Sequence, residues 1–457
     1  MNAIDAVAAG LAQAGAESIY NFPGFHSHEI AEALGMKQIS LNERVAYAEA
    51  YGSCLAGSRS VVTFKNVGLN VACDAFLHSL LGGVNAGMVV VVTDDTYVVG
   101  SQEFQDSRHY FDFYGGLWYE PSSPQQAYEI ALKAFALSEE FDVPVVIRLT
   151  GSYFASKKFF AKHLRLDESK KAYDIVLKRE KYVIHPYYFS VQEKMLSRKQ
   201  AKIDNYVSSC TSTIQKKNTE GVIVFGARES DVNSKDILEI CTLPLPKRAI
   251  LEFIDVHETV EVLEDGDNYV LEKIIAMVST SNITGAPPLE RGIQTEFTKW
   301  SAYEDIFGII NKALVGKLVA GDITQFTVET TDTIQVALSL GTAVGTAIGM
   351  AGVRGEAYAI VGDTSFLHEG RGVLEEARRR GLKIGVIVID NGMSWCTGGQ
   401  IPADSIDLIM DNCAASVDVR DQHNVHELQV AMSHLVNSEG VHVLRILVPR
   451  VENMTRQ

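Results

Sequence analysis

The feature that most constrains this chain is a pair of polar ends on two neighbouring apolar runs. Ala357-Tyr358-Ala359-Ile360-Val361 leads into Gly362-Asp363-Thr364-Ser365, and Ile384-Gly385-Val386-Ile387-Val388-Ile389 leads into Asp390-Asn391-Gly392. Between them, Val373-Leu374-Glu375-Glu376-Ala377-Arg378-Arg379-Arg380-Gly381 has the pattern of a helix closed by glycine. The unit therefore reads as strand, crossover helix and parallel strand. Both polar ends then lie at the carboxyl edge of one parallel sheet.

Mg²⁺ is a hard cation that takes oxygen ligands in octahedral geometry, usually one or two carboxylates with ligand phosphates. Asp363 offers a carboxylate and Asn391 an amide oxygen, and the main-chain carbonyl of Met393 is a candidate to complete the protein's share. Gly362 lets the backbone approach a diphosphate, and the N–H groups of Thr364 and Ser365 at the start of the next helix favour anionic oxygens. A lone Gly-Asp step is also met where the Asp simply caps a helix. The paired Asn at the next strand end favours a magnesium diphosphate site.

The spacing of Gly362-Asp363 and Asn391 resembles the signature of thiamine-diphosphate (ThDP) enzymes. The resemblance implies a second carboxylate, from another domain, that opens a helix of small residues and holds the pyrimidine ring of the cofactor. Glu43, in Asn42-Glu43-Arg44-Val45-Ala46-Tyr47-Ala48-Glu49-Ala50-Tyr51-Gly52, stands in that place. A Glu in the first helical turn is also stabilised by the helix dipole alone; helix and metal motif together favour the cofactor role. Further segments are similar to one branch, the alpha subunit of indolepyruvate ferredoxin oxidoreductase. They are residues 63–72, 89–95, 101–108, 120–128 and 390–400.

The fold class this implies is α/β, with two ThDP-binding parallel-sheet domains and a smaller transketolase C-terminal-like α/β domain between them. The expected division is a pyrimidine-binding domain over 1–155, a linker over 156–215, the transketolase-like domain over 216–295 and the diphosphate-binding domain over 296–457. The resemblance further implies a homodimer or higher homo-oligomer in which one chain's Glu43 meets the other's Asp363. Leu340, near the start of the glycine-rich run Ser339–Gly352, is the candidate bulky residue that props the cofactor in its bent form. An ordinary core leucine is the alternative.

The chain departs from that branch in its cysteines. Members of the branch carry a ferredoxin-like module with runs of Cys-x-x-Cys, whereas the six cysteines here, Cys54, Cys73, Cys210, Cys241, Cys396 and Cys413, are scattered. That spacing fits neither an iron–sulfur cluster nor a zinc framework. No electron relay is expected within the sequence, and unpaired thiols point to the cytoplasm.

At 457 residues and 46% hydrophobic content the chain can bury several cores, and a formal charge of −16 disfavours nucleic acid or an anionic membrane as partner. The first residues hold Asp5 and lack a basic segment, so they read as a first helix and not as a signal peptide. A basic stretch between Lys157 and Lys202, mixed with Tyr182, Tyr187, Tyr188 and Phe189, reads as a linker packed over a domain junction.

The cofactor decides the chemistry: attack on the ketone of a small-molecule 2-oxo acid, then loss of CO₂ into an electron sink. The carbon left behind can be protonated to an aldehyde, joined to another carbonyl as an acyloin, or oxidised. The absence of cluster motifs favours the first two, that is, a decarboxylase or carboligase. An oxidoreductase subunit whose clusters sit on a separate redox partner is one alternative, and a non-catalytic assembly subunit another. In the loop Asn21-Phe22-Pro23-Gly24-Phe25-His26-Ser27-His28-Glu29, His26 and His28 are candidate acid–base groups. Phe25, Lys65 and Asn66 are candidate substrate contacts. Phe25, Trp118 and Trp395 suit an aryl pocket or a core equally well.

Overall fold

A computed structural model of the chain describes residues 3–37, 39–40, 42–96, 105–155, 173, 175, 177–210, 212–214, 219–226, 235–279, 303–322, 327, 333–339, 341–366, 370–393, 416–421 and 424–448. Its strands are β1 (Ser18–Asn21), β2 (Ser60–Lys65), β3 (Met88–Asp94), β4 (Leu117–Tyr119), β5 (Val145–Thr150), β6 (Ser212–Ile214), β7 (Glu220–Phe225) and β8 (Asp236–Ile240). They continue as β9 (Thr242–Leu243), β10 (Thr259–Leu263), β11 (Val319–Gly321), β12 (Val336–Ala337), β13 (Glu356–Gly362), β14 (Lys383–Asp390), β15 (Ser416–Asp421) and β16 (Val441–Leu447).

Three sheets result, ordered β1-β2-β3-β5-β4-β9, β10-β7-β8-β6 and β12-β11-β13-β14-β16-β15. The third is parallel throughout, the first is parallel except for β9 against β4, and the second is parallel except for β6 against β8. The central strands β3 and β14 are apolar runs, buried on both faces because helices cover both sides of the sheet. Crossover helices such as Pro124–Phe141 carry their own punctuation: Ser123 Oγ accepts from Gln126 N at 3.2 Å, and the chain leaves through Asp142 in the left-handed region at φ 58°. This is the fold class the sequence implies. Among the described residues, no helix is long and apolar enough to cross a membrane.

The first and third sheets are joined through two helices. Glu43–Leu55 and Ala343–Arg354 approach so closely that a Cβ on Gly52 would lie 2.3 Å from the Thr346 carbonyl oxygen, and one on Gly349 would lie 2.1 Å from that of Glu49. Ser53 Oγ donates to Gly349 O at 3.2 Å and Arg354 Nε to Ala56 O at 3.0 Å. Beside the crossing, Arg380 reaches the fully buried Glu49 at 3.1 Å, while Ser40 Oγ donates to the same carboxylate at 2.6 Å.

The basic stretch serves as a strap across this junction. Arg179 donates to Ile334 O and Thr327 O, both at 2.6 Å, and Ile184 N to Ala337 O at 3.1 Å, on the third sheet. Lys181 meets Asp142 at 2.7 Å, Lys199 meets it at 3.0 Å, and Tyr182 OH donates to Val84 O at 3.0 Å, on the first sheet. These cations are spent inside the molecule. A second buried network joins the first sheet to the middle one. Arg108 pairs with Asp106 and, at 2.6 Å, with Glu264; Arg148 pairs with Asp94 at 2.7 Å and with Glu120.

The crossing makes two measurable statements. Gly349→Ala should gain helix propensity by about 1 kcal/mol, yet its Cβ meets a main-chain oxygen that cannot swing away. Overpacking, worth roughly 1–3 kcal/mol, should win. The urea midpoint is expected to fall; a rise, as for an exposed helical glycine, would contradict the contact. Burial drives the Glu49 carboxyl up to about 7, with Arg380 and Ser40 countering only in part. Its contribution to stability is therefore complete below pH 4.5 and lost as pH rises through about 7. Across that window the wild-type urea midpoint should drop relative to that of Glu49→Gln, and parallel curves would mean Glu49 is ionised throughout.

Candidate functional site

The carboxyl ends of β1, β2 and β3 form one half of the site. Asn42 caps the following helix, its Oδ1 accepting from Val45 N at 2.8 Å, and so fixes Glu43 as the first helical residue. Gly68 of the helix Asn66–Gly82 lies against it: a Cβ there would stand 2.7 Å from Glu43 Cγ. Burial raises the Glu43 pKa above the ordinary range, against the helix N–H and the nearby Lys65 ammonium. A half-buried carboxyl that holds its proton more tightly suits proton exchange with a ring nitrogen.

The loop after β1 turns through Pro23-Gly24, which rests on the Lys65 side chain, and is pinned where Thr93 Oγ1 donates to the Phe25 carbonyl. His26 sits in the left-handed region at φ 52°, a conformation uncommon outside glycine. Its ring lies 4.4 Å from that of Phe154 and 4.5 Å from that of Phe25, with Nδ1 3.2 Å from Glu29 Oε1. His28 is engaged at both nitrogens, with Asn21 Oδ1 at 3.1 Å and Glu32 Oε1 at 3.3 Å. Asn66 is buried; its Nδ2 donates to Gln105 O at 2.7 Å and its Oδ1 has no partner.

The other half is built on β11, β13 and β14. The register pairs Gly362 with Ile389, which sets Asp363 beside Asp390. Asp363 Oδ1 accepts from Thr364 N at 2.6 Å, and Oδ2 is buried without a hydrogen-bond partner. Burial, with Asp390 alongside, pushes its pKa up to about 6. Asp390 is itself held by Arg445, whose Nε donates to Oδ2 at 2.7 Å. Asn391 Oδ1 accepts from Met393 N at 3.0 Å, which folds the main chain of Met393 back beside the amide oxygen. Among the described residues no cluster of three or more His, Cys, Asp or Glu side chains could hold a metal ion. Asp363 and Asn391 instead offer a carboxylate and an amide oxygen, and the orphaned Oδ2 is a donor set to which a hard cation fits. Ser365 is buried in the turn after Asp363, next to Thr364. Leu340 and Trp395 lie outside the described residues, and Trp118 is core, 2% exposed and edge-on to Phe76.

The structure adds residues that the sequence reading passed over. Asp322 follows β11 and is 1% exposed; its Oδ1 accepts from Ala343 N at 2.9 Å, capping the helix that Thr342 leaves without a side-chain cap. Its Oδ2 is buried and unpartnered, and burial lifts its pKa to about 7. The signal was present, since Gly321-Asp322 repeats the Gly-Asp step of Gly362-Asp363 at another strand end. Phe154 is the second. Arg44, next to Glu43, reaches Ser339 Oγ at 3.4 Å, and its charge bears on Asp322. The helix opened by Glu43 is thus joined to the segment before the helix Ala343–Arg354.

Residues 322–456 match the family described as "Thiamine pyrophosphate enzyme, C-terminal TPP binding domain". The sequence is similar to the indolepyruvate oxidoreductase subunit IorA of Methanothermobacter marburgensis, at 27% identity over 84% of this chain and 74% of the relative. It is also similar to IorA of Archaeoglobus fulgidus, at 26% identity over 96% and 84%. In fold it is similar to benzoylformate decarboxylase of Polynucleobacter necessarius, with a TM-score of 0.55 and 11% identity over the whole of both chains. The thiamine diphosphate-dependent 4-hydroxybenzoylformate decarboxylase of Rhodococcus jostii gives a TM-score of 0.58 at 11% identity over 99% of this chain and all of that one. Residues 322–456 thus match a thiamine pyrophosphate-binding family, the chain as a whole resembles the IorA subunit of indolepyruvate oxidoreductase in sequence, and its fold is similar to that of thiamine diphosphate-dependent decarboxylases.

Proposed function

We propose that this chain decarboxylates a 2-oxo acid without oxidation, using ThDP and Mg²⁺, and releases an aldehyde or passes the new carbon to an acceptor carbonyl as an acyloin. The observation that carries this is the Asp363–Asn391 oxygen set at the ends of β13 and β14, with the orphaned Asp363 Oδ2, in a chain whose half-buried Glu43 opens the helix packed against the helix Ala343–Arg354. When bound, ThDP supplies the nucleophilic carbon and the electron sink for loss of CO₂. Glu43 would hold the pyrimidine ring and exchange a proton with it. Asp363 Oδ2, the Asn391 amide oxygen and the Met393 carbonyl would hold the Mg²⁺, and the Ser365 N–H would face the diphosphate, joined by that of Thr364 on release from Asp363 Oδ1. Lys65 complements the substrate carboxylate, Asn66 Oδ1 accepts a hydrogen bond, and Phe25 with Phe154 walls the substrate side. His26, in the loop beside them, delivers the proton that ends the reaction. His28, spent on Asn21 and Glu32, is the weaker candidate for that step. A homodimer in the cytoplasm accords with this reading.

A second reading is favoured by the similarity to IorA: the same decarboxylation feeds electrons to iron–sulfur clusters on a partner chain. A purely structural, cofactor-binding subunit is disfavoured by the retention of Glu43, which diphosphate binding alone does not need.

Pure protein with ThDP and Mg²⁺, offered a panel of 2-oxo acids without any electron acceptor, should release CO₂ with stoichiometric aldehyde or acyloin. CO₂ release only after a redox partner is added would move the assignment to the second reading. Calorimetry should show Mg²⁺-dependent ThDP binding that Asp363→Ala abolishes, and equal affinity without metal would remove Asp363 from the site. Glu43→Gln should still bind ThDP but exchange the thiazolium C2 proton more slowly, by the ~10²–10⁴-fold typical of an acid–base group. His26→Ala should leave that exchange intact and lower turnover or alter the aldehyde-to-acyloin ratio; no change in either would release His26 from this role.

A further inference from the structure

We propose that Cys210 and Cys241 form a reversible disulfide, a modification site that fastens the end of the strap to the corner where the middle sheet meets the first. It stands apart from the cofactor and from the reaction proposed above. In the sequence the two cysteines are distant and share no motif; in the structure both thiols are free, and the fold brings them together.

Strand register does this. β6 and β8 run antiparallel, with Ser212 opposite Glu239, Thr213 opposite Leu238 and Ile214 opposite Ile237. Continued by two positions, the same register sets Cys210 opposite Cys241. Residues directly opposed in an antiparallel pair stand roughly 4.5–5.5 Å apart at Cα and send their side chains to the same face. A disulfide needs a Cα separation of about 4.4–6.8 Å, so either kind of opposed pair suits it.

The surroundings of the two side chains agree. Cys210 Sγ donates to Tyr206 O at 3.5 Å, in the last turn of the strap helix Pro186–Val207, and Tyr206 OH accepts from Tyr119 OH at 3.0 Å. Cys241 is the single residue between β8 and β9. Its neighbour Thr242 is opposite Tyr119, and its own carbonyl accepts from Glu120 N at 2.8 Å. Burial pushes the Cys241 thiol up to about 12, with the Lys133 ammonium countering it and the Cys210 thiol adding to it. Burial likewise raises the Tyr119 and Tyr206 hydroxyls, and both cysteines add to that rise. Among the described residues no group of three or more His, Cys, Asp or Glu side chains could hold a metal ion, which leaves the pair to thiol–disulfide chemistry.

The oxidant is a small-molecule disulfide. Burial keeps Cys241 protonated, so the Cys210 thiolate attacks first, forming a mixed disulfide and expelling half of the oxidant as a thiolate that takes up a proton. Cys241 then gives up its proton and attacks the Cys210 sulfur, expelling the second half as a thiol. Two protein thiols become one disulfide, and the oxidant leaves as two thiols. The new bond joins the strap, the middle sheet and the first sheet at one corner.

The full-length wild type carries the test. It is incubated with oxidised glutathione, its remaining thiols are blocked with iodoacetamide, and the unreduced digest is read by mass spectrometry. A peptide pair joined through Cys210 and Cys241 should appear, vanish on reduction with dithiothreitol, and be absent from Cys210→Ser and from Cys241→Ser. The urea midpoint of the oxidised wild type should rise, because the bond closes a long loop of the unfolded chain, and both variants should lose that rise. Cys241→Ser should stall as a glutathione mixed disulfide at Cys210, whereas Cys210→Ser should leave Cys241 unmodified. Folded wild type in which iodoacetamide blocks both cysteines after oxidation, a bond between two chains, or a bond that forms only in urea would overturn the proposal.

Discussion

The structure turns on how closely two helices approach. Where Glu43–Leu55 crosses Ala343–Arg354, carbonyl oxygens occupy positions that any Cβ on Gly52 or Gly349 would claim. In a membrane, small residues on one helical face permit such contact between spans; here they serve the same geometry in a core between two sheets. Glu43 is the first residue of one helix, and Asp322 Oδ1 caps the N-terminus of the other, so this crossing bears directly on where both carboxyls stand.

Burial acts on the site's carboxyls in a common direction. Glu43, Asp322 and Asp363 are all raised, and desolvation is the largest cause for each. Perturbed acids cluster where function needs them, but the rule has a counterexample in the same molecule. Glu120, inside the Arg108–Arg148 network, is also driven up to about 7 by burial. The difference is place. Glu120 is gripped by Arg148 in the fold's interior, although its Oε1 is also without a hydrogen-bond partner, whereas Asp322 and Asp363 present their orphaned Oδ2 atoms at the sheet edge where ligands bind in open parallel sheets. Position at that edge, more than a shifted pKa or an orphaned oxygen alone, marks the site.

Much of this was legible in the sequence, because strand ends and helix starts are local. The Gly362-Asp363 and Asn391 pair, the helix opened by Glu43 and the crossover helix before Gly381 all follow from short-range pattern. What could not be read was long-range. Arg44 finds Ser339, 295 positions on, and Glu49 reads as one more polar position in a helix until Arg380 is brought to it. The short β9, from the middle of the chain, joins the first sheet by pairing with β4, which no local pattern announces. His26 and His28 look equivalent as letters; only the left-handed turn at His26 and the two partners of His28 separate them. The basic stretch reads in the sequence as a linker packed over a domain junction, but the sequence does not say which groups its cations meet: carbonyls and Asp142.

The strap and the crossing also explain why an acidic chain tolerates carboxyls packed at its centre. Arg44, Arg380 and Arg445 sit beside Asp322, Glu49 and Asp390 in turn, each arginine approaching from a different element. Arg44 and Arg380 bridge the first and third sheets, so the charge that makes their buried acids tolerable also holds the sheets together. Arg445 works within the third sheet and leaves Asp363, its neighbour's neighbour, without a cation. On the proposed function that asymmetry suits a metal: Asp363 is buried beside Asp390 at the strand ends and has one oxygen without a hydrogen-bond partner, so a divalent cation would satisfy there what the protein's own cations satisfy elsewhere.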